Sequence, residues 1–212
     1  MSFWDAQRGL ALSDPVGGKI LLLQSRDGGR SWQPLEAPAP EEGEAFFAAS
    51  NASIAMCGTQ QAWIGTGGGA IRVLHTPDAG RSWQLQYPPM LRISEAAGIY
   101  ALHFASAKKG VAVGGAYDKP ELGRLAALYT TNGGRRWRLS EEPPRGYRCG
   151  LALLPGTATY ISVGTTGTDL SRDGGKRWQP LNTENLNSIR FAPAGRRGWA
   201  VGAKGAIFLL EY

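Results

Sequence analysis

Few side chains in this chain could do chemistry, and their spacing decides which chemistry is open to them. The 212 residues include two histidines, His75 and His103. Each sits in a β-like run, Val73-Leu-His75 and Ala101-Leu-His103-Phe104, with no second ligand at metal spacing beside it. Both are expected to be satisfied structural histidines, and neither a metal nor a cofactor is expected. Glu41, Glu42 and Glu44, and again Glu141 and Glu142, supply the paired carboxylates that a glycosidase would need. Both clusters adjoin prolines and read as solvated loops. Gly65-Thr-Gly67-Gly-Gly69 and Asp14-Pro-Val-Gly-Gly-Lys19 are glycine-rich. Neither has the Gly-Lys-Ser/Thr ending and following helix of a phosphate loop, so both read as connections between strands. What remains is recognition chemistry. Tyrosine and arginine anchor interfaces more often than other residues, and loops on a rigid scaffold present them. The richest stretch is Gly115-Ala-Tyr117-Asp118-Lys119-Pro-Glu121-Leu-Gly-Arg124, followed by Arg145-Gly-Tyr147-Arg148. The candidate ligand or partner contacts are Asp14, Asn51, Arg72, Tyr117, Asp118, Arg145, Tyr147 and Arg148. No residue is assigned a catalytic role.

The elements that must position these loops repeat. Four octets share the template Ser/Thr-x-Asp/Asn-x-Gly-x-x-Trp. They place Ser25, Asp27, Gly29 and Trp32; Thr76, Asp78, Gly80 and Trp83; Thr130, Asn132, Gly134 and Trp137; and Ser171, Asp173, Gly175 and Trp178 at the same offsets. Asp, Asn, Ser and Thr side chains fold back on the nearby backbone, and glycine supplies positive φ, so each octet reads as a tight hairpin loop. Asn132 replaces a carboxylate yet keeps a carbonyl oxygen that accepts the same amides, which argues for a folding role. The boxes open at residues 25, 76, 130 and 171, a spacing that suits four-stranded blades. A short strand bounded by glycine precedes each box and recurs once more at Gly198-Trp-Ala-Val-Gly202. The fold class is therefore all-β: a propeller of four-stranded antiparallel blades, about five visible, the first and last incomplete. The blades fall at roughly 1–35, 46–87, 98–140, 148–181 and 186–212 of one domain.

The octets resemble the Asp-box, or BNR, repeat of sialidase-like β-propellers. The wider pattern is most similar to the BNR propellers related to photosystem II assembly and stability factors. Phe3-Trp-Asp-Ala-Gln-Arg-Gly9, Ala48-Ala-Ser-Asn51, Gly114-Gly-Ala-Tyr117 and Gly198-Trp-Ala-Val-Gly202 carry that resemblance. It implies a longer relative, typically of seven blades and exported to a periplasmic or extracellular compartment. Met1-Ser-Phe-Trp4 reads as the tail of a strand, so the chain is expected to be an N-terminally shortened version of such a propeller, the alternative being a true five-blade protein with a compact first blade. The resemblance implies a non-catalytic scaffold that binds a protein partner, in assembly or maintenance of a complex. The alternative is a carbohydrate-binding or sialidase-like propeller. A sialidase grips its substrate carboxylate with three arginines, whose planar forks bind it in two places. Arg72, Arg92, Arg148 and Tyr117 are the residues available for such a site. The Phe/Tyr-Arg-Ile-Pro motif of sialidases is missing ahead of the first box, and Leu91-Arg92-Ile93-Ser94 only echoes it.

Composition narrows the partners. Apolar residues make up 42% of the chain and charged residues 19%, enough to bury a core. The net charge is +6, but eight of the 23 basic residues lie inside the box octets. Charge spread round a rim is unlike the patch that nucleic acid needs, so a nucleic-acid partner is not expected. No stretch reads as a membrane span or signal peptide. Cys57 and Cys149 read as buried free thiols, with a single bridge between them as the alternative. An open ring would leave strand edges through which copies could associate.

Overall fold

The protein is described here from a computed structural model that covers residues 1–192 and 196–211. Among the described residues the chain forms 21 strands. Blade 1 is β1 (Ser2–Phe3), β2 (Gly9–Leu12), β3 (Leu22–Ser25) and β4 (Gln33–Leu35). After the short β5 (Glu44–Ala45), blade 2 holds β6 (Ile54–Cys57), β7 (Gln61–Gly65), β9 (Val73–Thr76) and β10 (Gln84–Gln86). The two-residue β8 (Gly67–Gly68) pairs with β5 and with β11, so this glycine run is a ribbon joining blades rather than a free loop. Blade 3 is β11 (Ala97–Phe104), β12 (Gly110–Ala116), β13 (Ala127–Thr130) and β14 (Trp137–Leu139). Blade 4 is β15 (Gly150–Leu153), β16 (Tyr160–Gly164), β17 (Gly167–Ser171) and β18 (Gln179–Asn182). Blade 5 has three strands, β19 (Leu186–Phe191), β20 (Arg197–Gly202) and β21 (Ile207–Glu211). All blade pairings are antiparallel.

The core lies between consecutive blades. Leu10, Leu22, Ile64 and Leu74 fill the first interface, and Trp63, Ile99, Phe104 and Trp137 the second. Val111, Tyr129, Leu151 and Trp178 fill the third, and Val163, Leu186, Ile189 and Ala200 the fourth. Each fully buried side chain of this size contributes about 1.5–3 kcal/mol. A sheet covered on both faces should read as an unbroken apolar run, and one covered on a single face should alternate. Val73–Thr76 and Ala127–Thr130 are buried throughout. Blade 5 alternates: Ala200 faces blade 4, while Trp199, Val201, Ile207 and Leu209 are exposed. Cross-strand pairing of Trp199 with Leu209 and of Val201 with Ile207 puts these four on one face. Among the described residues no strand of blade 1 packs extensively on a strand of blade 5.

The boxes are the β3–β4, β9–β10, β13–β14 and β17–β18 turns, and their polar atoms repeat one circuit. The Ser25 hydroxyl accepts from the Gly29 amide (2.8 Å) and donates to Asp27 Oδ1 (2.9 Å). Asp27 Oδ1 in turn accepts from the Ser31 amide (2.9 Å). Thr76 with Asp78, and Ser171 with Asp173, do the same. Asn132 Oδ1 accepts from Thr130 Oγ1 (3.1 Å) and the Arg136 amide (2.9 Å), completing the circuit without a charge. The hydrogen bonds hold the Asp27 carboxyl down at about 2, led by those from Ser31. The residue after the acid takes positive φ: Gly28 at 75°, Gly133 at 76°, Gly174 at 78°, and in the second box Ala79 at 58°.

Candidate functional site

The boxes stand at one end of blades 1 to 4, and the β2–β3 loop, the segments between blades and the Ala116–Ala126 loop gather at the other. The innermost strands β6, β11, β15 and β19 surround a central cavity of about 430 Å3, lined in part by Ile54, His103, Leu151 and Arg190. At its loop end stands an aromatic cluster centred on Tyr100. Phe47 stacks on Tyr100 at 4.2 Å, Tyr147 meets it edge-on at 4.8 Å, and Tyr117 edge-on at 6.3 Å. Tyr117 is 58% exposed, whereas Tyr100 and Tyr147 are buried.

Backbone irregularities aim these rings. The β11–β12 register slips between Ile99 and Ala101, leaving Tyr100 as the bulged residue. A bulge redirects one side chain out of the regular alternation, and bulges gather beside functional sites. Phe47 sits in the left-handed region (φ 45°, ψ 47°), which costs a bulky residue about 1–2 kcal/mol. Its ring rests on two glycines, since a Cβ on Gly67 would lie 2.4 Å from Phe47 Cε2 and one on Gly98 2.7 Å away. Burial pushes the Tyr100 phenol up, with Tyr117 adding to it, and burial does the same for Tyr147. Both rings stay neutral contact surfaces.

The eight sequence candidates divide. Tyr117 and Tyr147 join the cluster. Asp118 Oδ1 accepts from Ser94 Oγ (2.9 Å) beside it, and Asp14 Oδ1 caps the Phe46 amide (2.7 Å). Asn51, also left-handed (φ 53°), accepts from Arg190 Nη2 through its carbonyl (3.3 Å). Arg145 is exposed on the loop before Tyr147. Arg72 and Arg148 lie elsewhere than the exposed loop surface expected of them. Arg72 donates to Glu44 through Nε (2.9 Å) and Nη2 and to the Ala39 carbonyl (3.1 Å), with both charged side chains buried. Arg148 donates to Asp169 through Nε (2.7 Å) and Nη2, and to the Tyr147 carbonyl and Thr166 Oγ1. These are interior ion pairs that hold loops to blades. Glu44 is correspondingly no solvated loop residue, while Glu141 and Glu142 are exposed and pair with Arg177. Arg92 pairs with Glu95 (3.3 Å). The three arginines available for a carboxylate grip therefore each hold a carboxylate of this chain.

His75 is satisfied by Gln84 and Gln61, both at 3.3 Å, and stacks on Trp63. His103 departs from expectation: its buried Nδ1 has no hydrogen-bond partner, and burial, then Arg190, pulls its pKa down to about 4. No group of three His, Cys, Asp or Glu that could hold a metal occurs among the described residues. Cys149 is buried and Cys57 half-buried, both free. Among the described residues no helix is long and apolar enough to cross a membrane. Phe47 and Tyr100, the centre of the cluster, were not among the sequence candidates. The one sequence signal was glycine at both 67 and 98, which a seated ring requires.

Comparison with known proteins gives the same picture. A family model described as photosynthesis system II assembly factor YCF48 matches residues 1–138. The photosystem II assembly protein Ycf48 of Synechococcus sp. (strain JA-2-3B'a(2-13)) is 30% identical over 192 residues, covering 85% of this chain and 50% of that protein. The chain thus spans half the length of this curated relative. Among solved structures, YCF48 bound to D1 peptide matches with a TM-score of 0.64 at 23% identity, over 98% of this chain and 60% of that one. A GH74 enzyme of Niastella koreensis matches with a TM-score of 0.63 at 14% identity, over 96% of this chain and 28% of that one. At these identities the structural matches speak for the propeller fold. With the family model spanning well over half of its residues, the chain belongs to the YCF48 photosystem II assembly factor family of BNR propellers.

Proposed function

We propose that this chain is a non-catalytic propeller that binds a peptide segment of a protein partner on its loop face, in the assembly or maintenance of a complex. The observation that carries the reading is the exposed Tyr117 ring standing on buried Tyr100 and Tyr147 and half-buried Phe47. A rigid aromatic anchor backed by packed rings loses little entropy on binding and is typical of an interface hot spot. Two further facts support it. The three arginines read as available for a sialoside carboxylate each pair with a carboxylate of this chain, Arg72 and Arg148 in the interior and Arg92 at the surface. A relative of the same family has been solved with a D1 peptide bound. The test is fluorescence anisotropy with peptides tiled across D1. At least one tile is expected to bind, and Tyr117→Ala is expected to weaken it about tenfold or more. Failure of every tile, together with saturable binding to a glycan array, would transfer the face to carbohydrate recognition.

A further inference from the structure

Beside the aromatic cluster lies a cavity of about 180 Å3. Met90, Leu91, Ile93, Ala97, Leu122 and Leu125 line it, and the Gly115 backbone forms part of its wall. An apolar hollow of roughly this size has room for a benzene-sized guest. Met90 and Ala97 are buried at its base, while Leu91 and Leu122 are exposed at its edge. Exposed leucines around a preformed hollow leave apolar surface for a guest to cover.

The walls are fixed in place. Asp118 accepts from Ser94, and Lys119 Nζ donates to the Ile93 carbonyl (3.2 Å), tying the two lining loops together. The Tyr147 amide donates to the Pro120 carbonyl (2.8 Å) and ties both to the next segment. Gly123 is pressed so closely on that segment that a Cβ would lie 2.4 Å from the Arg145 carbonyl carbon.

Charge selects the guest. Arg124 is exposed on the cavity lining, and Arg145 is exposed on the segment that Gly123 touches. Among the described residues neither guanidinium has a hydrogen bond or ion pair. Arg92 pairs with Glu95, while Asp118 and Lys119 keep their charges, since a hydroxyl and a carbonyl neutralise neither. On these segments Arg92, Lys119, Arg124 and Arg145 outnumber Glu95, Asp118 and Glu121 by one, so the rim keeps a small positive excess. A guest seated in the cavity gains most when carboxylates flank its apolar side chain.

We infer that this cavity is a specificity subsite for one leucine- or phenylalanine-sized side chain within an acidic stretch of a partner peptide, with Arg124 and Arg145 holding the flanking carboxylates. The inference rests on the protein-binding reading above and adds which peptide is chosen.

Three labelled ten-residue glycine–serine peptides test it on the full chain by anisotropy at low salt. Their centres are Glu-Leu-Glu, Glu-Ala-Glu and Gln-Leu-Gln. The first should bind best, at least tenfold tighter than the second and about fivefold tighter than the third. Leu122→Asp, at a solvent-facing edge, should bring the first peptide down to the level of the second. Arg124→Gln should remove most of the difference between the first and third, and Arg145→Gln the remainder. Equal affinities for all three peptides, discrimination unchanged in the variants, or no binding of the first peptide by about 1 mM would overturn the subsite. D1 tiles that bind wild type and Leu122→Asp alike would sink this inference and leave the partner-binding reading intact. Discrimination as described, with no D1 tile bound, would uphold the subsite and assign it a different protein partner.

Discussion

The Gln86 side chain of blade 2 accepts a hydrogen bond from Trp137 Nε1 of blade 3 at 3.1 Å, and its own amide nitrogen donates to the Gly133 carbonyl at 3.1 Å. The box tryptophan thus fastens its blade to the one before. Trp83 reaches the Glu36 carbonyl (3.1 Å) and Trp178 reaches Ser140 Oγ (3.3 Å) in the same way. Trp32, with no earlier blade among the described residues, donates to its own Gly29 carbonyl and packs on Phe3. The glycines of the boxes belong to the same joints: a Cβ on Gly80 would strike Leu35 and one on Gly134 would strike Gln86.

Gln86→Leu keeps the volume but orphans the Trp137 N–H; the Gly133 carbonyl still accepts from Trp63 Nε1. One unsatisfied buried donor costs about 1–3 kcal/mol. Urea unfolding should therefore show a loss of about 2 kcal/mol, with the m-value unchanged. A loss below about 0.5 kcal/mol would mean that water satisfies the indole and that the joint is not dry.

Ala79→Gly should stabilise the chain. Ala79 occupies the left-handed position that glycine fills in the other three boxes. Relief of that backbone penalty, about 1–2 kcal/mol, is partly offset by glycine's greater freedom when unfolded, about 0.5–1 kcal/mol. The expected gain is several tenths to about 1 kcal/mol, read as a higher urea midpoint. A lower midpoint would show that the Ala79 methyl makes a contact worth more than the strain.

The boxes were legible because their hydrogen bonds close within four residues, Ser25 to Gly29 and Asp27 to Ser31. Spacing alone exposes such local chemistry. Arg72 and Arg148 were not, because their partners Glu44 and Asp169 lie 28 and 21 residues away in sequence. An arginine in a loop reads as a surface contact until its distant carboxylate is placed. Tyr100 was hidden for a different reason: a single bulge in β11 turns it out of an otherwise regular apolar strand. The repeats themselves marked the four hairpins that the structure places at the β3–β4, β9–β10, β13–β14 and β17–β18 turns.

Stability should fall as solutions become mildly acidic, and His103 should carry part of that loss. Its pKa is about 4 in the fold against 6.5 in the unfolded reference, so between those values the unfolded chain binds more protons. The contribution is complete above about pH 6.5 and declines as pH falls towards about 4. Urea midpoints measured from about pH 7 to 5 should slope downward in the wild type and flatten in His103→Gln. Parallel slopes would place the protonation elsewhere.

The central claim is that the loop face, and not the box rim, holds the partner. A D1 tile selected by anisotropy and carrying a photoreactive group can be crosslinked to the full chain and the adducts mapped by mass spectrometry. Adducts are expected on Phe47, Leu91, Tyr117 and Leu122, with competition by unlabelled peptide. Competable adducts confined to the hairpins around Asp27, Asp78, Asn132 and Asp173 would contradict the account.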